Sequence, residues 1–308
     1  MDGTGIESAR DTRRSKPERR VGQVLEGGTV RQPAQAESDD AMVRLWLHGR
    51  SPGTMRAYAA DAGLFLVRAG KPLRAVTAAD VQAFTDTLDG LAPASRARKV
   101  SAVKSLLSFA QRVGYTAFNA GAPVRLPPVR NTLAGRIMDE ASVLRLVHME
   151  TGLRNGAMLR LAYAAGLRVS ELCGLCWRDL APRGVAGQIT VLGKGGKTRA
   201  VLLTAGVWNA VAALRGNAGP DAPVFRSARG GHLDPSQVHR IVKDAAARAG
   251  LPAAVSAHWL RHAHVSHALD RGAPAHLVQA TVGHASLATT SRYAHARPDD
   301  SSARYLAV

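Results

Sequence analysis

A proline-rich stretch near the middle of the chain limits what the chain can fold into. Pro123, Pro127 and Pro128 lie close together, with Arg125 and Asn131 around them. Proline has no amide hydrogen to donate within a helix, and it restricts the residue before it, so this stretch cannot be helical throughout. At 308 residues the chain is also longer than most single cores. We therefore predict two domains joined by a linker at residues 123 to 136.

The part before the linker is predicted to contain a tail and a small helical domain. Residues 1 to 36 mix Gly, Ser, Gln, Pro and charges of both signs without apolar periodicity, which predicts a disordered, mildly basic tail. Residues 37 to 122 carry apolar side chains at helical spacing, and Thr77-Ala-Ala-Asp has the form of a capping box. Four helices are predicted there: one around Met42, and three that begin near Ser51, Thr77 and Ser95.

The fourth of these helices interleaves basic with apolar residues. One side of it could lie against phosphates, and a solvated basic face is the alternative. The basic residues are Arg96, Arg98, Lys99, Lys104 and Arg112.

Residues 137 to 308 are predicted to form a larger second domain. Asp139 and Asp234 each begin a helix, and Gly166 ends another because glycine adopts the left-handed cap most easily. Two short apolar runs, at residues 189–192 and 200–203, flank the turn Gly193-Lys-Gly-Gly, which predicts a β-hairpin. Three further short helices are expected after residue 257. The predicted fold class is mainly α with a small antiparallel β-sheet.

The composition favours a polyanionic partner. Lys and Arg number 41 against 23 Asp and Glu, a formal net charge of +18, and nucleic acid is the first polyanion to expect. A genome that prefers Arg codons would also raise the charge, so the charge favours DNA without identifying a site. No run approaches the roughly 20 apolar residues of a membrane span, and no stretch resembles a signal peptide. We expect a cytoplasmic protein with no membrane partner.

The two cysteines, Cys173 and Cys176, are spaced as in redox motifs or in half of a zinc site. A structural zinc site needs two more close ligands, and the chain has no second Cys pair to supply them. Leu172, Cys173 and Cys176 recur at helical spacing, so we expect both thiols to pack within a buried helix.

Four segments of the second domain carry residues that resemble those of a known family. They are Ala165-Gly-Leu-Arg168-Val-Ser-Glu-Leu, His258-Trp-Leu-Arg261-His, Val282-Gly-His284 and Thr289-Thr-Ser-Arg-Tyr293. Their order, with Lys194 in the hairpin and His284 nine residues before Tyr293, resembles the phage-integrase or tyrosine-recombinase family, most closely its Xer-like bacterial members. The helical first domain resembles the family's core-binding, DNA-binding domain only in kind.

The resemblance implies a site-specific DNA recombinase that cuts and rejoins strands through a 3'-phosphotyrosine intermediate. It implies that Tyr293 is the nucleophile, that His258 handles protons there, that His284 hydrogen-bonds a phosphate oxygen and that Lys194 protonates the departing 5' oxygen. It also implies double-stranded DNA as the partner, bound by a homotetramer or heterotetramer on paired sites. Because the linkage keeps the energy of the phosphodiester, neither ATP nor a metal cofactor is expected.

The residue types suit this chemistry on physical grounds. Attack by an oxygen nucleophile on a phosphodiester concentrates negative charge on the two non-bridging oxygens. Arginine stays protonated and donates two parallel hydrogen bonds, so Arg168 and Arg261 are predicted to clamp the phosphate. His258 and Arg261 are three residues apart, which puts them on one face of a helix. A phenol needs a base or a cationic field to lose its proton, and this cluster could provide either for Tyr293.

Several alternatives stay open from the sequence. Lys197 lies in the same turn as Lys194 and is the weaker candidate for its role. Three histidines near Arg261 invite a metal site, although Asp270 is the only obvious carboxylate beside them. Type IB topoisomerases share the same chemistry, and a DNA-binding regulator could have lost catalysis on this scaffold. The three histidines are His262, His264 and His267.

Overall fold

The computed structural model describes residues 36–129, 131–193 and 196–294, and it divides the chain into two units. Unit 1 is Met1–Arg130 and unit 2 is Asn131–Val308. The predicted tail at residues 1 to 36 lies outside the described residues except for Ala36, and so does the part of the chain that follows Ala294. The domain limits given above remain predictions.

Unit 1 contains the four predicted helices. They are α1 (Asp39–Leu47), α2 (Pro52–Ala69), α3 (Ala78–Asp86) and α4 (Pro93–Arg112). The capping box at Thr77 is present, because its side chain accepts from the Asp80 amide while the Asp80 carboxylate accepts from the Thr77 amide. The apolar faces of the helices meet in one core that includes Met42, Phe65 and Leu106.

The basic residues of α4 are largely engaged within unit 1. Arg98 and Lys99 both form salt bridges with Asp61 of α2, whose side chain is only 1 % exposed. Lys104 donates to the carbonyl of Gly121 at 2.6 Å. The face that the sequence suggested for phosphates therefore also neutralises a buried carboxylate.

Unit 2 is also mainly helical and contains one small sheet. Strands β1 (Leu180–Arg183), β2 (Ala186–Leu192) and β3 (Thr198–Leu203) pair in that order, antiparallel throughout. The predicted fold class is confirmed, as is the predicted hairpin, in which Ile189 of β2 faces Val201 of β3. The helices are α5 (Glu140–His148), α6 (Leu153–Ala164), α7 (Val169–Gly174), α8 (Ala205–Ala212), α9 (Pro235–Arg248), α10 (Ala257–Asp270), α11 (Ala275–Val282) and α12 (Leu287–Ala294).

The core of unit 2 lies between the sheet and the helices. Ile189 and Val201 on one face of the hairpin belong to the same apolar cluster as Leu159 of α6 and Leu260 of α10. The short helix α8 and the strand β1 were not predicted, because each is too short to show a clear periodicity. Among the described residues, no helix is both long and apolar enough to cross a membrane.

The expectation that both cysteines pack within one helix was wrong for Cys176. Helix α7 ends at Gly174, so Cys173 lies in the helix while Cys176 lies beyond its end. The Cys176 amide donates to the carboxylate of Asp179 and begins a short 3-10 turn. Cys176 is nevertheless buried, and Cys173 is half-buried.

The turn at Gly166 positions the loop that follows α6. Gly166 has a φ of +56°, so it adopts the left-handed conformation that was predicted for it. A Cβ atom placed there would lie 2.8 Å from the ring of His264 and 2.8 Å from Val282. The backbone of this turn therefore packs closely against α10 and the end of α11.

We predict that Gly166→Ala destabilises the chain far more than Gly184→Ala. Gly184 has almost the same φ, +57°, but no heavy atom lies within 4 Å of its added Cβ. The strain of a left-handed alanine should lower the free energy of unfolding by about 1 kcal/mol at either position. At Gly166 the added methyl group also overpacks the turn, so the total loss there should be roughly 2–5 kcal/mol. Urea denaturation measures both variants. Equal losses would contradict the tight packing of this turn.

Candidate active site

The structure gathers most of the predicted site residues around helix α10. His258 and Arg261 lie on α10 itself, Arg168 precedes α7, His284 follows α11 and Tyr293 lies on α12. The sixth residue, Lys194, lies outside the described residues, so its position stays a prediction.

Arg261 is the buried centre of the site, with 2 % of its surface exposed. Its guanidinium donates to the carbonyl of Gly166 at 2.6 Å and to the carbonyl of Val282 at 2.7 Å. These bonds join the turn before Arg168 to the turn before His284. Burial, followed by the charge of Arg168, lowers the pKa of Arg261 to about 10, so it stays protonated at neutral pH.

Arg168 is held at the N-terminus of α7 by Glu171. The Arg168 amide donates to one carboxylate oxygen of Glu171 at 2.9 Å, and its guanidinium donates to the other at 2.8 Å. A second guanidinium nitrogen donates to the carbonyl of Gly283 at 2.8 Å. Each guanidinium has five N–H donors, so Arg168 and Arg261 both keep donors for a further ligand.

Arg199 of β3 was not predicted, and it ties the hairpin to this site. It donates two hydrogen bonds, of 2.9 and 2.8 Å, to the carboxylate of Glu171. Its Nε donates to the carbonyl of Thr281, near the end of α11, at 2.7 Å. One side chain thus connects the hairpin, the Arg168 turn and α11.

Glu171 is the buried acid that balances these arginines. Burial alone would raise the pKa of its carboxyl, but hydrogen bonds from Arg199 and Arg168 outweigh burial and lower the pKa to about 2. The sequence did contain a signal for Glu171, since it lies three residues after Arg168 in the motif, as in a capping arrangement. Nothing in the linear pattern pairs Glu171 with Arg199.

The hydroxyl of Tyr293 contacts His262. A hydrogen bond of 2.7 Å joins the Tyr293 oxygen to Nδ1 of His262, and both side chains are buried. His258 packs edge-on against the His262 ring, with ring centres 4.4 Å apart. Burial raises the pKa of Tyr293, while the charge of Arg261 lowers it. From the sequence, proton handling at Tyr293 was assigned to His258, and the observed contact belongs to its neighbour one helical turn later.

His284 also lies beside Tyr293. The two rings are nearly parallel, with centres 6.1 Å apart, and Nδ1 of His284 shares a hydrogen bond of 2.9 Å with the hydroxyl of buried Thr290. Desolvation, followed by the charges of Arg261 and Arg168, lowers the pKa of His284 to about 4. The same causes lower the pKa of His258, which lies at the surface. Both imidazoles are therefore neutral at pH 7.

A cleft of about 410 Å³ opens beside these residues. Its walls include Arg168, Arg199 and His284, and Gly193 and the exposed Lys197 line it from the end of the hairpin. The cleft walls thus present cations and neutral imidazole to whatever enters. This arrangement suits an anionic group such as a phosphate.

The three histidines that suggested a metal site have separate partners. His262 contacts Tyr293, His264 shares a hydrogen bond with the carbonyl of Tyr163, and His267 contacts the hydroxyl of Tyr163. Within the described parts of the chain, no group of three or more His, Cys, Asp or Glu side chains could hold a metal ion. The histidines of α10 therefore do not converge on one point.

Comparison with known proteins identifies the family of the chain. Residues 136–299 match the model of the phage integrase family, and residues 44–114 match the phage integrase N-terminal SAM-like domain. The chain belongs to the phage integrase family. A relative, the tyrosine recombinase XerC of Rhodospirillum centenum, is 36 % identical over 298 residues, covering 89 % of this chain and 86 % of the relative. The chain is thus a tyrosine-type site-specific DNA recombinase.

Solved structures with the same fold include two recombinase complexes. XerH bound to its difH substrate has a TM-score of 0.66 and 19 % identity, covering 82 % of this chain and 80 % of XerH. A lambda integrase tetramer bound to a Holliday junction has a TM-score of 0.66 and 18 % identity, covering 84 % of this chain and 78 % of the integrase. At these identities the likeness concerns the fold.

We predict that Glu171→Gln lowers the free energy of unfolding by roughly 3 kcal/mol near neutral pH, because it removes the buried carboxylate that Arg168 and Arg199, both partly buried, share as a counter-ion. The carboxylate's pKa falls from 4.5 to about 2 on folding, so its stabilisation is complete above pH 4.5 and is lost as the pH falls towards about 2. The difference between the variant and the wild type should shrink over that range in urea denaturation.

Glu140→Gln is the matched control for this prediction. Glu140 forms a salt bridge with Arg271 in which both side chains are exposed, 42 % and 65 %. Such a pair should contribute no more than about 1 kcal/mol. If Glu171→Gln costs no more than this control, or if its cost does not depend on pH, the role given to Glu171 is wrong.

Proposed function

We propose that this recombinase cleaves duplex DNA with Tyr293 as its nucleophile and rejoins the strands from a 3'-phosphotyrosine intermediate. The observation that carries the proposal is the position of Tyr293. Its side chain lies close to Arg261, His262 and His284, which belong to the same site. The tyrosine itself is an ordinary buried residue of α12. Its surroundings give it a chemical role.

Arg168 and Arg261 form the proposed phosphate clamp. Charge develops on the two non-bridging oxygens as the Tyr293 oxygen attacks phosphorus, and preorganised cations lower the energy of that state. Backbone carbonyls already fix both guanidinium groups, and Glu171 also holds that of Arg168, so little reorganisation is needed when DNA binds. This support favours a clamp that is rigid before the substrate arrives.

The remaining predicted residues complete the reaction. His284 is proposed to hydrogen-bond a phosphate oxygen, and its neutral imidazole can donate from the nitrogen that does not contact Thr290. His258 is proposed to assist proton transfer at the nucleophile. Lys194 is proposed to protonate the departing 5' oxygen, and Lys197, which lines the cleft, is the alternative for that step.

The intermediate accounts for the absence of any need for an energy source. When the Tyr293 oxygen displaces the 5' oxygen, one phosphate ester replaces another, so the bond energy is retained in the phosphotyrosine linkage. A 5' hydroxyl of a second strand can then attack and release the tyrosine. Neither ATP nor a metal cofactor enters this scheme.

Double-stranded DNA is the proposed partner, bound by four protomers that are identical or of two kinds. Support comes from the net charge of +18 and from the fold shared with the lambda integrase tetramer. Unit 1 is proposed to contribute to DNA binding as the core-binding domain. We keep the cytoplasm as the expected location, because DNA is the proposed substrate.

We predict that Tyr293→Phe abolishes covalent attachment to DNA while leaving DNA binding intact. Genomic fragments of the source organism that carry nicked suicide sites would trap the wild-type adduct, and sequencing the attached ends would identify the site and the attacked strand. Without the phenol oxygen no covalent bond can form between protein and DNA, so the expected yield of adduct is zero.

Tyr163→Phe is the control for this experiment. Tyr163 also contacts a histidine of α10 through its hydroxyl, at 2.9 Å, but lies apart from Tyr293. It should form the adduct at the wild-type level. An adduct in Tyr293→Phe would refute the nucleophile assignment.

A further inference from the structure

His262 makes the direct contact with the proposed nucleophile. Its Nδ1 lies 2.7 Å from the Tyr293 oxygen, and the two ring centres are 5.6 Å apart. His262 follows Arg261 directly in α10 and lies one helical turn after His258, so these two imidazoles share a face of the helix. The structure thus places a second histidine in the site, and this side chain is buried, with 8 % of its surface exposed.

We propose that His262 is a further catalytic residue, which accepts the phenol proton of Tyr293 during strand cleavage and returns it during rejoining. The inference rests on the proposed function of Tyr293 as the nucleophile. It assigns to His262 the contact with the reacting oxygen, and it leaves His258 as the neighbour that packs against the His262 ring.

The proton and electron pairs balance in both directions. As the Tyr293 oxygen bonds to phosphorus, its proton moves to Nδ1 of His262, which becomes an imidazolium. The bond between phosphorus and the 5' oxygen breaks, and that oxygen takes a proton from the acid of the site, proposed as Lys194. In rejoining, the 5' hydroxyl returns its proton to that acid as its oxygen bonds to phosphorus. The bond between phosphorus and the Tyr293 oxygen breaks, and that oxygen recovers its proton from His262.

The surroundings of His262 keep it ready to accept a proton. Burial, followed by electrostatic interactions with His258, Arg136, Arg261 and His284, lowers the pKa of His262 to about 4, so its ring is neutral at pH 7. A neutral ring with its proton on Nε2 leaves the Nδ1 lone pair free to accept the Tyr293 hydroxyl. A bound phosphate between the arginines would offset their charge, which raises the basicity of His262 at the moment of attack.

A second histidine–tyrosine pair in unit 2 provides a matched comparison. Nδ1 of His267 lies 2.9 Å from the Tyr163 hydroxyl, and its Nε2 lies 2.9 Å from the carbonyl of Met138. His267 is on the same helix as His262 and is equally buried, at 8 %. The pairs differ in location, because Tyr293 lies beside the proposed phosphate clamp, and His267 also has the contact with Met138.

The first test measures single-turnover formation of the covalent adduct on a nicked suicide site. Asn retains a group that can hydrogen-bond the tyrosine but does not accept a proton, so His262→Asn should slow adduct formation by about 10²–10⁴-fold. The affinity for DNA, measured by gel shift, should not change. His267→Asn should lose a similar amount of stability in urea denaturation and keep a rate close to that of the wild type.

The second test separates proton acceptance from positioning. Replacing Tyr293 by a ring-fluorinated tyrosine makes the phenol more acidic, so it should restore much of the rate lost in His262→Asn. DNA with sulfur in place of the departing 5' oxygen needs no acid, because a thiolate leaves readily. That substrate should not rescue His262→Asn, although it should rescue a variant that lacks the acid.

Three results would overturn the inference: a wild-type rate in His262→Asn, a loss that His267→Asn matches, or a loss that fluorination does not restore. Each of these requires that the wild type forms its adduct. Failure of the wild type to form any adduct would instead overturn the proposed function, and this inference with it.

Discussion

The buried guanidinium of Arg261 holds the candidate site together. It bonds to the carbonyl of Gly166, in the turn before Arg168, and to the carbonyl of Val282, in the turn before His284. A charged group withdrawn from water is costly unless its hydrogen bonds are made, so the folded chain must keep both carbonyls in place. The same side chain belongs to the proposed phosphate clamp. The fold and the proposed recognition of substrate therefore depend on one residue.

The second feature is an excess of positive charge around one acid. Arg168 and Arg199 both bond to Glu171. Arg261 lies close enough to these three groups for their charges to shift its pKa. One carboxylate does not neutralise three guanidinium groups, so the positive charge that remains adds to burial in lowering the pKa values of the nearby imidazoles. A phosphate entering the cleft would supply the missing negative charge. On this account the excess positive charge of the site attracts the phosphates of the proposed DNA substrate.

Much of this arrangement could be predicted from the sequence, because it lies in short motifs. Gly166 predicts the turn before Arg168, and the spacing of His258 and Arg261 places them on one helical face. Contacts between distant segments could not be predicted: no pattern pairs Glu171 with Arg199, or Asp61 with Arg98. For the same reason His262 suggested a metal site, since the sequence does not reveal which side of α10 receives Tyr293. Lys194 stays a prediction.

The most direct measurement of the central claim is the location of the bond between protein and DNA. The wild-type adduct, trapped on a suicide site, is digested with protease and nuclease, and mass spectrometry identifies the residue that carries the nucleotide. The account predicts a nucleotide joined through its 3' phosphate to Tyr293, with a free 5' hydroxyl on the released strand. A nucleotide on any other residue, or one joined through a 5' phosphate, would contradict it.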